Sequence, residues 1–232
     1  LGEIFNKLEL GSNVLGAEVE GEVKDFYFNP SDESKIYPIF LDNEKSLTLI
    51  RHSAAHILAQ AVQSIYPDTK VTIGPVIDDG FYYDFYTDRN FTEDDLKLFE
   101  NKMHEILEKN VSFEKEVINR NEALKIFSNL GETFKEEIIN DLDESQEISL
   151  YKQGDWFDLC RGPHLPNSTF IKSFKLLSVA GSYWRGDETR ESLQRIYGTA
   201  FSNPKDLKKH LKIIDEAKKR DHRKLGKELD LF

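Results

Sequence analysis

Apolar positions along the chain keep two different rhythms, and the changes between them divide it. From Leu15 to Phe26 apolar and polar residues alternate roughly by twos, and Asn29-Pro-Ser-Asp-Glu33 follows as a turn cluster. Residues 1–45 therefore read as a small, mostly β piece, too short to close a core alone. The period then lengthens. Ile50, Ala54, Ile57, Ala61 and Ile65 form one apolar stripe at helical spacing, with Ser46 as the expected N-cap and Pro67-Asp68 as the stop.

Beyond it, Val71 to Ile77 predicts a strand interrupted at Gly74-Pro75, and Asp78-Asp-Gly80 a turn into the aromatic strand Phe81 to Tyr86. Alternation puts Phe81, Tyr83 and Phe85 on one face, expected to be core, and Tyr82, Asp84 and Tyr86 on the other. Phe91 to Asn110 predicts an amphipathic helix, capped by Thr92 and striped by Leu96, Phe99, Met103, Ile106 and Leu107. His104 reads as a surface residue of that helix.

Val111 to Ile118 reads as a strand, Glu122 to Leu130 as a helix ended by Gly131, and Phe134 to Asn140 as another helical turn. Strands follow at Ile148–Phe157 (bent at Gly154-Asp155), 174–187 and 193–201. From Pro204, with Asn203 as cap, a helix carries Leu207, Leu211 and Ile214, then Leu225, Leu229 and Phe232, on one seam of up to about 40 Å. Short strands beside a few helices, without a βαβ rhythm, define an α+β protein. Its largely antiparallel sheet is expected to pack against the long histidine-bearing helix.

Composition narrows the class. At 232 residues with 39% apolar and 12% aromatic content the chain can bury a real core in one or two domains. One cysteine excludes a disulfide framework and suits a reducing compartment. No apolar stretch has the length of a membrane span, and Leu1 in place of an initiator methionine suggests a fragment. The net charge of −11 argues against a general nucleic-acid binder, but it is uneven. Residues 204–232 hold ten Lys/Arg against six Asp/Glu, an excess of four that leaves −15 on the rest.

Chemistry concentrates in two stretches. His52 and His56, four apart, share a helix face roughly opposite the apolar stripe, flanked by Ala55 and Ala59, whose small side chains leave room for an approaching group. Alone, the pair would read as two surface histidines. A hundred residues later, in Asp158-Leu-Cys-Arg-Gly-Pro-His164, the Gly162-Pro163 turn can bring the Cys160 thiol and the His164 ring together. Three histidines and one thiol make either a metal set or an acid/base site. Of the tyrosines, Tyr82 ahead of Tyr83 could line a pocket. Lys135 reads as a solvated surface lysine.

Taken together, His52-x3-His56, Gly74-Pro-Val-Ile-Asp-x-Gly-Phe-Tyr-Tyr-Asp84, Asp158-x-Cys-Arg-Gly-Pro-His164, Tyr183-Trp-Arg-Gly-Asp187, Leu193–Ala200 and Lys219–Gly226 resemble, in order, the bacterial threonyl-tRNA synthetase editing-domain family. The resemblance covers nearly the whole chain. It implies a partial β-rich N-terminal domain over 1–45, an editing domain over 46–202 with an α/β insertion at about 88–145, and over 203–232 a linker helix to an absent class II core. It implies hydrolysis of mischarged seryl-tRNA(Thr) in the cytoplasm, with tRNA(Thr) as partner. No cofactor is required for that step, since ATP, magnesium and the amino-acid-selecting zinc belong to the missing core. A dimer through that core implies a monomeric fragment.

Catalytic roles then fall to His52, His56, Lys135, Asp158, Cys160 and His164, with His52 and Lys135 on the water and Asp158 on the substrate ammonium. Substrate binding falls to Tyr82, Tyr83 and Arg161, and tRNA phosphates to Lys218, Lys219 and Arg223. A thiol beside imidazoles and a lysine is expected to favour its thiolate. Two competing readings remain: a zinc-dependent ester hydrolase of the alanyl-editing type, with His52, His56, Cys160 and His164 as ligands, and a tRNA-binding appendage with a vestigial pocket.

Overall fold

The computed structural model describes residues 1–220, with only the backbone of Lys218. In chain order it contains α1 (Gly2–Lys7), β1 (Val14–Val19), β2 (Glu22–Lys24), β3 (Ile36–Phe40), α2 (Ser46–Ile65), β4 (Lys70–Val71), β5 (Val76–Ile77), β6 (Gly80–Tyr86) and α3 (Glu93–Glu108). There follow β7 (Phe113–Ile118), α4 (Arg120–Asn129), α5 (Thr133–Asp141), β8 (Ile148–Gln153), β9 (Trp156–Leu159), β10 (Ser173–Tyr183), β11 (Ser192–Phe201) and α6 (Pro204–Lys219). The fold is α+β and the strand pairs are antiparallel, as expected.

The strands form three sheets rather than one: β2-β1-β3, a five-stranded β10-β11-β6-β4 with β5 also on β6, and β7-β8-β9. The split follows from the turns. β8 and β9 are joined by Gly154-Asp155, whose left-handed glycine closes a tight local hairpin, so these strands pair with each other and with β7. They do not reach the central sheet.

Helix α2 is the hub. Leu49, Ile50, Ala54, Ile57, Leu58, Ala61 and Val62 are fully buried, and so are Ser53, Ala55 and Ala59. The one-sided stripe is thus a correction: α2 is enclosed nearly all round. Ala55 and Ala59 leave no open space; their small volume lets neighbouring elements pack close. Ser46 is likewise the first helical residue rather than the cap, its hydroxyl donating to the Leu41 carbonyl at 3.1 Å. Helix α3 starts as expected, Thr92 and Asp95 exchanging side-chain and backbone bonds in a capping box. Asn203 caps α6 through the Asp206 amide at 2.9 Å.

Leu225, Leu229 and Phe232, assigned to the seam of the last helix, lie outside the described residues. Among the described residues no helix is long and apolar enough to cross a membrane.

Behind α2 and α3 lies an aromatic cluster. Phe99 is fully buried, its ring 5.8 Å from Tyr66 and 5.2 Å from Phe91, which in turn meets Phe85 of β6. Truncating Phe99 to Ala removes a ring the site's scaffold packs around and is expected to cost about 3–5 kcal/mol in urea unfolding. A loss under about 1 kcal/mol would show that the cluster collapses around the gap.

Candidate active site

The histidine face of α2 and the Cys160–His164 turn meet. His52 and His56 lie edge to face with centroids 5.3 Å apart, and His164 stacks on His52 at 4.1 Å. Phe113 of β7 lies parallel to His164 at 5.3 Å. The turn between Cys160 and His164 runs through a cis Gly162-Pro163 bond with Gly162 left-handed at φ +79°. A Cβ on Gly162 would lie 2.4 Å from the Tyr151 hydroxyl, so only glycine lets the turn seat there.

Hydrogen bonds settle the tautomer of one ring. His52 Nδ1 lies 3.0 Å from the Pro163 carbonyl, which can only accept, so a neutral His52 carries its proton on Nδ1 and a lone pair on Nε2. That Nε2 faces Cys160 Sγ at 3.4 Å, and His164 Nε2 faces the same sulfur at 3.4 Å. His164 Nδ1 meets the Ser53 hydroxyl at 3.1 Å, while His56 Nδ1 is buried without a partner.

Desolvation lowers His52 and pushes His56 and His164 well below the ordinary histidine range, so the last two are neutral at pH 7. The same burial pushes the Cys160 thiol up to about 12. This corrects the expected thiolate: the imidazoles beside it are uncharged, and packing outweighs the attraction of Lys135.

Opposite the rings stands a charged wall. Lys135 of α5 is 2% exposed, not a surface lysine, and its Nζ donates at 2.7 Å to Asp158 Oδ1 and at 2.7 Å to the Thr72 carbonyl. Tyr83 donates its hydroxyl to Asp158 Oδ2 at 2.5 Å, and the Leu159 amide donates to Oδ1 at 2.8 Å. Gly74 lies against the Tyr83 ring so closely that a Cβ would come within 2.3 Å of it.

Both walls line one cavity of about 430 Å³, floored by Tyr83, Lys135 and Asp158 and reached past Ile73, Pro75 and Arg161. Arg161 is an exposed rim residue bonded to Gln146 at 3.2 Å. Tyr82 is not in the cavity. It points to the other face of the central sheet, under the Arg195 guanidinium at 3.8 Å. Of the three residues assigned to tRNA, Lys219 pairs with Asp215 at 2.6 Å, while Arg223 and the Lys218 side chain lie outside the described residues. Ser53, the Thr72 carbonyl and Tyr151 escaped the sequence reading. Ser53 adjoins His52 and could have been suspected, but a backbone carbonyl carries no residue-type signal.

Four donor atoms, one each from His52, His56, Cys160 and His164, lie within 4.8 Å of one another. Zinc bonds of about 2.0–2.3 Å in a tetrahedron place donors about 3.5 Å apart, so the two 3.4 Å sulfur–nitrogen separations fit such an ion. The unpartnered His56 Nδ1 shows that this ring's hydrogen bonding is incomplete as it stands.

Known proteins share much of this sequence. Residues 148–197 match the "Threonyl and Alanyl tRNA synthetase second additional domain", which gives the class. Threonine–tRNA ligases are similar over almost the whole chain. That of Legionella pneumophila (strain Corby) is 51% identical over 96% of this chain and 35% of its own length. The enzyme of Ehrlichia canis (strain Jake) is 50% identical over 97% and 35%, and that of Bartonella bacilliformis 49% over 100% and 35%. The chain thus spans about a third of the length of the curated relatives it matches. Within the class it matches the editing-domain fragment of threonyl-tRNA synthetase.

Stability should follow the histidines. His56 and His164 stay neutral when folded but bind protons near pH 6.5 once unfolded, so below that pH the unfolded state holds more protons. Stability is then complete above about pH 6.5 and falls with acid, by about 1.4 kcal/mol per pH unit for each such histidine. Urea titrations of chelator-treated protein between about pH 7.5 and 5.5 check this, with a shallower acid slope expected for His56→Gln. A flat profile would contradict neutral, buried rings.

Proposed function

We propose that this segment hydrolyses the ester of mischarged seryl-tRNA(Thr) and spares threonyl-tRNA(Thr), without ATP. The observation that carries the reading is the facing pair of walls: a neutral His52, its Nε2 lone pair turned to the Cys160 thiol at 3.4 Å, across one cavity from the buried Asp158 carboxylate. An aminoacyl ester presents a carbonyl to be attacked and an ammonium to be held, and the cavity offers a different chemistry to each. Asp158 Oδ2, with one lone pair left beside its Tyr83 bond, takes the ammonium. Lys135 fixes that carboxylate and adds positive potential where the oxyanion develops.

His52 orders a water through Nε2, which exchanges its weak contact with the Cys160 thiol for the water. The water oxygen bonds the ester carbon as its proton moves to Nε2. The C–O bond to the terminal ribose then breaks, and the leaving oxygen takes that proton. Serine and tRNA are the products. A depressed imidazole is a weak base, so ordering the water is the larger part of its role. Discrimination runs by size: the additional methyl of threonine meets the packed wall of Tyr83 and Gly74 or displaces the water.

The four-donor set also supports a second reading, with zinc held by His52, His56, Cys160 and His164. A bound zinc would supply Lewis acidity to that corner. Four protein donors fill the positions zinc commonly takes, however, which suits holding the turn to α2 better than presenting a water. We therefore read hydrolysis as metal-independent, with tRNA(Thr) the binding partner.

Deacylation of both esters is the test. Wild type is expected to hydrolyse the serine ester and leave the threonine ester, with His52→Ala slower by roughly 10²-fold and Asp158→Ala impaired chiefly in KM. Equal hydrolysis of the two esters, or an indifferent His52→Ala, would sink the mechanism. Rates are also expected to survive chelation, with no stoichiometric zinc by elemental analysis. Loss of activity on chelation together with one bound zinc would decide for the second reading.

A further inference from the structure

Asp25 lies just after β2, far from any residue of the cavity in sequence, yet it is only 6% exposed and its bonds lead into the site. Oδ1 accepts locally, from the Tyr27 amide at 3.1 Å. Oδ2 crosses the molecule. It accepts from the backbone amide of His164 at 3.1 Å and from the Tyr151 hydroxyl at 2.5 Å. Tyr151 is 1% exposed on β8, and its ring lies 4.5 Å from the His164 ring.

The turn is shaped to admit this carboxylate. A Cβ on Gly162 would lie 2.8 Å from Asp25 Oδ2, so the residue that makes the Cys/His turn tight also clears the carboxylate's path. Bonds to an ionised acceptor are roughly twice as strong as neutral ones, and a buried carboxylate persists only where its lone pairs are taken up. Here three donors take them up, and two of them belong to the far side of the site.

We propose that Asp25 is a positioning residue of the hydrolytic site. It clamps the Cys160–His164 turn against α2 by its backbone and, through Tyr151, by the His164 ring, so that Cys160 and His164 hold their places beside His52. The segment before α2 is then a component of the site and not a neighbour of it. The inference rests on the reading of the cavity as the site of ester hydrolysis.

The test compares Asp25→Ala, Asp25→Asn and Tyr151→Phe in the intact chain. In single turnover on seryl-tRNA(Thr), Asp25→Ala is expected to lose about tenfold or more in maximal rate, because small displacements of a reacting group weigh heavily. The enzyme concentration for half-maximal rate should stay within about twofold, since nothing that holds the substrate is touched. Asp25→Asn keeps an oxygen acceptor of the same shape and should restore most of the rate. In NMR spectra the backbone amide proton of His164 should move upfield in Asp25→Ala, with its ring nitrogens shifted as well.

A lowered melting temperature with unchanged rate and unchanged His164 resonances would overturn the proposal, since that is all a purely structural residue would do. If Asp25→Ala does not fold, Tyr151→Phe decides: only the hydroxyl linking Asp25 to the His164 ring is removed, and unmoved His164 ring nitrogens with an unchanged rate would overturn the proposal. If the wild type hydrolyses neither ester, the hydrolytic reading alone fails, and the His164 shifts still decide whether Asp25 holds the turn.

Discussion

An ammonium and a carboxylate 2.7 Å apart, with side chains 2% and 3% exposed, can be buried only where their other bonding capacity is met. Lys135 and Asp158 meet that condition by drawing on four parts of the chain. The lysine comes from α5 and also holds the Thr72 carbonyl between β4 and β5; the carboxylate sits on β9 and takes the Tyr83 hydroxyl from β6 and the Leu159 amide. Removing either charge strands the other, at about 3–5 kcal/mol. The pair is therefore both floor of the cavity and junction of the central sheet with the β7-β8-β9 sheet.

Next to this charged floor the histidine corner is kept uncharged. Burial holds His56 and His164 neutral and Cys160 protonated, and the stacked rings would repel each other if charged. One cavity thus contrasts two environments: a fixed charge pair that can orient an ammonium, and lone pairs on nitrogen that can order a water. Placing the two functions on facing walls of one cavity lets a small substrate span both, which is the physical basis for assigning an ester to it.

Much of this was legible in residue spacing, for identifiable reasons. The four-residue step from His52 to His56 and the Gly162-Pro163 break before His164 are local features, so each pair was legible by itself, while the meeting of the two stretches is a long-range contact that spacing does not carry. The Thr92 start of α3 was legible because a capping box is local too. Lys135 was not. Its neighbours Glu136 and Glu137 make α5 look solvated, while its partners lie on Thr72 and Asp158. Alternation sorted Tyr82 and Tyr83 onto opposite faces but could not say which face held the cavity. Helix α2 looked one-sided because Ser53, His56 and Gln60 are polar. Ser53 and His56 are buried where they serve the site, which hides them from any hydrophobic periodicity.

The most direct measurement of the central claim is a crystal structure of the segment with the serine amide of 3′-amino-3′-deoxyadenosine, where nitrogen replaces the ester oxygen and hydrolysis is blocked. The serine ammonium is expected within about 3 Å of an Asp158 carboxylate oxygen, its carbonyl carbon facing the water held by His52 Nε2, and the Cys160–His164 turn unmoved. An analogue bound outside this cavity, or inside it with the ammonium turned away from Asp158, would contradict the assignment.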